Sequence, residues 1–415
     1  MKHADLRPEF SRRSCAALAA STIGLSLAGI TTLAFPVFLT SIAAEFGGRG
    51  RVTALYTIAA LAGYAGMPLV GAAVDRWGGR RVTPLLAAAS ALAAALIGVS
   101  RPFGLPGLVM LFALAGICNS TMAAYSKLNA GWFHRRRGLA FALSGVGVGL
   151  VWMLVIPQSA MALLRHFDWR TCYGIMGLAG LFVGAPLVAL LARDPPPSPE
   201  PEAKKGVSAP SAWRSAVFWL VIVGVCAETA TVNSCRSQMV ALLTDRGVSH
   251  GLAVSILSTS LAGTLISQPL AGWLLDRFDS PKLVLPFAGC SLAGVLLLAL
   301  GPDLPAWVLG NVLMSLGYSA EVLMAPYFFT RFFGAREHGK IYGSMFVCLA
   351  PITATAPWAM GGVFDRTGSY LPMLLIFAVA LALGAVCFAL LPAYRFGPRP
   401  VARFRRTAPP RALIG

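Results

Sequence analysis

Long apolar stretches recur along this chain, each about the length of a bilayer crossing, with short polar segments between them. A helix needs about 20 mostly apolar residues to span a membrane. On that rule spans fall near 15–42, 52–74, 82–100, 105–131, 139–163 and 171–192, and a second set near 215–243, 252–274, 283–301, 306–330, 341–363 and 370–392. The pattern predicts an all-α membrane protein with twelve transmembrane helices. Between the sets lies 193–214, with six prolines (195, 196, 197, 199, 201 and 210) plus Lys204 and Lys205, a composition that favours an extended, solvated linker. The expected organisation is a six-helix bundle over 1–192, a linker over 193–214, a second bundle over 215–393 and a basic tail over 394–415.

The two sets also match one another at a constant offset of 201 residues. Pro68 and Leu69 match Pro269 and Leu270, Gly71 matches Gly272, and Asp75 and Arg76 match Asp276 and Arg277. Gly116 matches Gly317, Arg135 matches Arg336, and Gly138 matches Gly339. Six spans per half return the chain to the side it started from, so both halves enter the membrane in the same sense. That is a parallel repeat about an axis along the membrane normal, with a binding site expected between the halves.

Composition narrows the class further. The chain is 57% hydrophobic and 12% charged, against about 25% charged in a soluble domain. The net charge of +18 would fit nucleic acid, but the charges lie between apolar segments and not on one soluble face, which excludes that partner. Counted by loop, 25 Lys and Arg fall on the side of the termini and 7 on the other, which places both termini in the cytoplasm. Arg12 and Arg13 resemble the start of a twin-arginine signal, but the apolar run behind them is too long and more spans follow, so they anchor the first helix. The eight cysteines (15, 118, 172, 226, 235, 290, 348 and 387) have no metal spacing and fall mostly inside apolar runs. No metal, cofactor or ATPase motif is expected, so any transport must draw on solute or ion gradients. Arginine outnumbers lysine 28 to 6, a bias of GC-rich bacterial genomes that points to a bacterial inner membrane.

The stretch Gly71, Ala72, Ala73, Val74, Asp75, Arg76, Trp77, Gly78, Gly79, Arg80, Arg81 lies between spans two and three, and a weaker copy, Gly272 to Lys282 through Asp276 and Arg277, lies between spans eight and nine. Sequence and position resemble the signature loop of the major facilitator superfamily. A finer likeness is to its monocarboxylate-porter and oxalate–formate branch. It rests on Glu45, Phe46 and Gly47 after span one, on Trp132, Phe133, His134, Arg135, Arg136, Arg137, Gly138, Leu139 and Ala140 before span five, and on Asp168, Trp169 and Arg170 before span six. The resemblance implies two bundles that rock about a central site, usually as a monomer. It also implies a cytoplasmic latch built on Gly71, Asp75, Arg76, Gly79, Arg80, Gly272, Asp276 and Arg277. Physically, Gly71 lets another helix approach, and Asp75 can pair with an arginine or a helix N-terminus in one conformation only.

Four ionisable residues remain inside the spans: Lys127 in span four, Glu228 and Arg236 in span seven, and Glu321 in span ten. The resemblance implies that spans one, four, seven and ten line the cavity. A charge at the bilayer centre costs about 2.5–3.5 kcal/mol on insertion scales, and a carboxyl avoids much of that by taking up a proton. Glu228 and Glu321, both near mid-span, are the proton-coupling candidates, with packing carboxyls as the alternative. Arg236 lies about 12 Å beyond Glu228 at 1.5 Å per residue, and Thr229, Asn233 and Arg236 form a polar stripe at i, i+4 and i+7. A guanidinium there can hold a carboxylate through two hydrogen bonds, or it can snorkel or tie the helix down. Lys127 sits near the inner end of its span, where snorkelling competes with ligand binding. The expected function is secondary transport of a small organic anion such as a carboxylate, coupled to protons. The alternative is an efflux antiporter for amphipathic or cationic compounds. Gly145, Gly147 and Gly149 of span five, with no proline until Pro157, weigh against the antiporter. A nutrient receptor or a membrane enzyme would need a soluble module or a catalytic spacing that the sequence does not offer.

Overall fold

The computed structural model describes residues 11–121, 124–125, 128, 132–133, 137–194, 206–334 and 336–396, without a few of their side chains, those of Asp75 and Asp276 among them. The chain is helical almost throughout. Helix α1 (Arg12–Phe46) runs through a joint at Gly29 between segments Arg12–Ala28 and Ile30–Phe46. There follow α2 (Arg49–Trp77), α3 (Gly79–Ile97), α4 (Gly104–Cys118) and α5 (residues 137–164), which carries a π turn at Val151–Val155. Then come α6 (Trp169–Leu191), α7 (Ala216–Asp245), α8 (residues 250–277), α9 (Leu285–Leu300), α10 (Leu304–Phe333), α11 (His338–Thr367) and α12 (Leu371–Ala389). Among the described residues eleven helices are long and apolar enough to cross a membrane. The expected second span corresponds to α2, 29 residues long, which is not among those eleven.

The reason for helix is the one the apolar pattern gave: in hydrocarbon every backbone amide must be satisfied within its own segment. Large apolar side chains stay on the outside of the molecule, including Met110, Phe182, Val347 and Val379, where lipid can cover them. Packing partners repeat between the halves. In the first, α2 packs on α4, α3 on α4 and α3 on α6; in the second, α8 packs on α10, α9 on α10 and α9 on α12. The halves meet along α2 with α11 and α5 with α8, and along α1 with α7. Small residues make the close approaches. A Cβ at Gly116 would lie 2.0 Å from the Ala59 carbonyl oxygen, and one at Gly317 would lie 2.0 Å from Ser291 Oγ.

The linker differs from the expected extended segment in the part described. Gly206 bridges to Gly334, the Val207 amide donates to the Phe333 carbonyl at 2.9 Å, and the Ala209 amide donates to Glu337 Oε2 at 2.9 Å. A short helix, Ala209–Trp213, follows, with Trp213 Nε1 bonded to Ser344 Oγ at 2.8 Å. The end of α10 and the start of α11 supply partners for this backbone, so it docks and does not stay solvated. Residues 195–205, with five of the prolines and both lysines, lie outside the described residues, as does the tail beyond 396.

Candidate functional site

A cavity of about 240 Å³ lies against the first half, lined from α1, α2, the end of α4 and α5, with Asn233 of α7 reaching it from the second half. Its polar lining includes Thr32, Tyr56, Tyr64, Asn119 and Asn233, and Trp152 adds an aromatic face. Trp152 stands on the π turn of α5, where the extra residue per turn re-aims the side chain. Its Nε1 donates to the Leu25 carbonyl at 3.2 Å, over the joint in α1; a Cβ at Gly29 would fall 2.2 Å from that nitrogen. Asn233 makes no hydrogen bond among the described residues, and Asn119 Oδ1 is shut off from solvent without a partner.

Of the ionisable residues singled out from sequence, Arg236 lies nearest the cavity lining along its helix, three residues beyond Asn233. Arg236, one turn beyond Asn233 and half-buried, stacks on the Tyr318 ring of α10 with its guanidinium carbon 5.1 Å from the ring centre. It has no carboxylate partner among the described residues, and its Nε is buried without a hydrogen bond. Glu228 of α7 and Glu321 of α10 are both buried. Ser291 of α9 donates its hydroxyl to Glu228 Oε1. Glu228 thus faces the interior of the second half and is not in the cavity lining, because it lies five residues before Asn233, the α7 residue that does line it, and so about 140° around the helix from it. Thr229 is half-buried and not among the lining residues. Lys127 lies outside the described residues.

On the face opposite the start of α1, the halves are sealed together by a cluster that sequence reasoning missed. Arg49 at the head of α2 forms an ion pair with Asp245 at the end of α7, its second nitrogen 2.8 Å from Oδ1, and donates to the Tyr370 hydroxyl at 2.9 Å. The Asp365 carboxylate of α11 accepts from the Arg49 and Gly50 amides at 2.8 and 2.7 Å, so a residue of one half caps a helix of the other. Gln238 joins Thr53 Oγ1 at 2.8 Å and accepts from Tyr370 at 3.0 Å. Backbones touch as well: a Cβ at Gly50 would lie 2.8 Å from the Gly362 Cα. Arg49, Asp245 and Asp365 read from sequence as loop charges, and only their proximity in space identifies them.

The near face, where α1 starts, holds the signature loop. Gly79 is buried, Gly272 half-buried, and Arg76, Arg80 and Arg277 are exposed. Gly71 and Asp75 lie in α2 and Asp276 in α8; the partners of the two carboxyls lie outside what is described. The acid that reaches this loop is Asp194, at the end of α6, which accepts from the Arg80 amide at 2.8 Å and caps α3. Next to it, Trp132 Nε1 donates to the Arg193 carbonyl at 2.9 Å. In the second half Arg331 of α10 pairs with Asp279 of the α8–α9 loop and donates to the Phe396 carbonyl at 2.6 Å.

The motif pieces after span one and before span six prove to be one cluster. Arg170 holds Glu45 through two hydrogen bonds of 2.6 and 2.7 Å, reaches Ser100 Oγ at 3.2 Å and lies over the Trp169 ring, whose Nε1 also approaches Glu45 at 3.3 Å. This ties the end of α1 to the start of α6. Asp168 stands before α6, held below the usual carboxylate range chiefly by the Thr171 hydroxyl that donates to it.

The described helices surround a cavity and are tied together on one face by the Arg49–Asp245 ion pair and its neighbours. The chain belongs to the major facilitator superfamily, whose family model matches residues 20–243 and 234–413, and it is not an enzyme. It is similar to the uncharacterized MFS-type transporter YcxA of Bacillus subtilis, 26% identical over 267 residues, 61% of this chain and 64% of that one. It is also similar to the probable nitrate/nitrite transporter NarK2 of Mycobacterium tuberculosis, 27% identical over 247 residues, 58% and 60% of the two chains. These matches span less than two thirds of the relatives' own length. Among solved structures, a bacterial homolog of the human lysosomal transporter Spinster, in an inward-facing and occupied conformation, matches with a TM-score of 0.65 at 16% identity, covering 92% of this chain and 97% of that one. That likeness concerns the fold.

Proposed function

We propose that this protein is a proton-coupled secondary transporter of a small organic anion, a carboxylate, working by alternating access. The observation that carries the reading is Arg236: a fixed cation with no acidic partner among the described residues, stacked on Tyr318 one helical turn beyond Asn233 of the cavity lining. Arginine stays charged at any physiological pH and suits a constant anchor. Glu228 and Glu321, buried and out of the cavity lining, take the switchable role and exchange the proton. A carboxylate is also the chemistry of the monocarboxylate-porter branch that the sequence resembles, and the relative named as a nitrate/nitrite transporter concerns another small anion.

The proposal includes a 6+6 arrangement of twelve spans with α2 as the twelfth, residues 193–214 joining the bundles and 394–415 as tail. Both termini lie in the cytoplasm of a bacterial inner membrane, and the working unit is a monomer. The basic near face is then the inside and the Arg49–Asp245 seal lies outside, so this conformer opens inward. Gly71, Asp75, Arg76, Gly79, Arg80, Gly272, Asp276 and Arg277 form the inner latch, with Asp194 as an added member. Thr229 and Asn233 lie on the anion's path and Lys127 at its inner end. Efflux of a cationic compound is the second reading, favoured by the two buried carboxyls of Glu228 and Glu321. A stabilisation screen on purified protein separates the two, because a binder raises apparent stability by mass action. Carboxylates should raise the melting temperature. Stabilisation by lipophilic cations alone would transfer the case to efflux.

A further inference from the structure

We infer that the near face carries a binding site for an anionic phospholipid, its headgroup held between the linker and the segment after α12. The inference goes beyond the transport reading and does not depend on the substrate. A cavity of about 320 Å³ lies there, walled by Ser211 and Ser215 before α7, Phe332 and Phe333 of α10, and Pro392 and Arg395 after α12. Both outer walls are fixed to the end of α10. The Val207 amide donates to the Phe333 carbonyl at 2.9 Å, and the Phe396 amide to the Arg331 carbonyl at 2.8 Å. Arg331 Nε returns a bond of 2.6 Å to the Phe396 carbonyl, and the Tyr394 ring lies 5.1 Å from that of Phe332. Both chain neighbours of Arg395 are therefore held. Arg395 itself lines the cavity, exposed and with no carboxylate partner among the described residues.

Among the described residues the lining holds one cation and no acid. It favours an anion and offers nothing to the ammonium of a zwitterionic headgroup. Ser211 and Ser215 add hydroxyls; Ser215 Oγ accepts from the Val217 amide at 3.3 Å and keeps its own proton to donate. The volume of about 320 Å³ corresponds to roughly ten waters at ~30 Å³ each, about the number of non-hydrogen atoms in a phosphoglycerol headgroup. The surrounding surface makes the occupant a lipid. Just deeper than the cavity, Trp219 of α7 and Leu390 of α12 are exposed, and one turn further Val223 and Val386 are exposed as well. Acyl chains would find an apolar surface there that a soluble phosphate has no use for. Trp213, between the two serines, is also exposed, and indole rings favour headgroup depth. Residues 397–415 add five arginines and no acid, a composition that draws anionic lipid to a segment beside the membrane.

Dioctanoyl-phosphatidylglycerol and dioctanoyl-phosphatidylcholine test this, titrated onto the purified full-length protein in detergent and read by native mass spectrometry. The phosphatidylglycerol is expected to bind about fivefold more tightly, the effect of one cation on a singly charged lipid. Arg395→Gln is expected to erase that preference. Arg214→Gln is expected to keep it, since Arg214 is exposed next to Ser215 but does not line the cavity. Glycerol 1-phosphate, a headgroup without chains, should not displace the lipid at equal concentration. Equal affinity for the two lipids in the parent protein would overturn the inference. A preference that survives Arg395→Gln, or that Arg214→Gln removes as well, would overturn the site. Displacement by glycerol 1-phosphate at equal concentration would make the ligand a soluble phosphate and overturn the lipid. Each of these failures would leave the reading of Arg236 and the transported anion standing.

Discussion

Replacing Gly50 by alanine puts a methyl group into the tightest backbone contact of the sealed face. The new Cβ would lie 2.8 Å from the Gly362 Cα, 2.9 Å from its nitrogen and 3.0 Å from an Asp365 carboxylate oxygen. Carbon atoms settle about 3.5–4.0 Å apart, so α2 and α11 must separate by roughly 1 Å here. The same movement draws Asp365 away from the two amides it caps. Overpacking of this kind costs about 1–3 kcal/mol, and the cost falls only on the conformer with this face closed. At about 1.4 kcal/mol per factor of ten, the ratio of open to closed conformers rises roughly five- to hundredfold. Alanine also favours helix over glycine by about 0.5–1 kcal/mol, but α2 is helical in both conformers, so that term cancels. Gly362→Ala is the control on the facing helix, since a Cβ there meets nothing within 4 Å. Spin labels at Arg51 and Arg366, both exposed at this face, report the gap by pulsed dipolar spectroscopy in a cysteine-free background. A longer-distance population should appear in Gly50→Ala and not in Gly362→Ala. Unchanged distances in both variants would mean that this face is not the seal described.

Three other perturbations follow from the contacts. A Cβ at Gly317 would lie 2.0 Å from Ser291 Oγ, so Gly317→Ala should dislodge the hydroxyl from Glu228. Accumulation driven by a pH gradient into proteoliposomes should fall several-fold while counterflow exchange persists, and Glu321→Gln should show the same split; loss of both activities together would argue for simple misfolding. Arg170→Lys cannot reproduce the two-pronged grip on Glu45, and a drop in stability of about 1–3 kcal/mol should appear as a lower melting temperature, against no change if the clamp is ornamental. Asp75→Asn should slow turnover far more than it weakens ligand binding, because a latch sets the rate of conformational exchange; lost affinity with turnover preserved would remove Asp75 from the latch.

The spans were legible because bilayer length and hydrophobicity act on every residue of a segment, and the internal repeat was legible because its offset never changes. Glu228, Glu321 and Arg236 stood out for the same reason in reverse, as ionisable residues where water is scarce. The seal was not legible. Arg49 and Asp245 are 196 positions apart and Arg49 and Asp365 are 316 apart, and each alone looks like a charge at a helix end. Asp194, 114 positions from Arg80, was hidden in the same way beside the proline-rich linker. Asn119 and Trp152 carry no charge, so nothing in composition marks them as cavity residues, and the π turn that aims Trp152 has no sequence signature of its own. Glu45 and Arg170 were visible as separate motif pieces, but only the fold shows that they are two sides of one clamp.

The central claim is that Arg236 holds the anion, and the measurement that tests it most directly is carboxylate affinity in purified Arg236→Ala beside the parent protein. The probes are the carboxylates that stabilise the parent in the screen and a neutral amide analogue of each. Losing a charge-assisted hydrogen-bonding partner costs about 1.5–3 kcal/mol, so the carboxylate affinity should fall roughly ten- to hundredfold while the neutral analogues bind as before. If Arg236→Ala bound carboxylates as tightly as the parent protein, the arginine would not be the anchor and the organic-anion account would lose its footing.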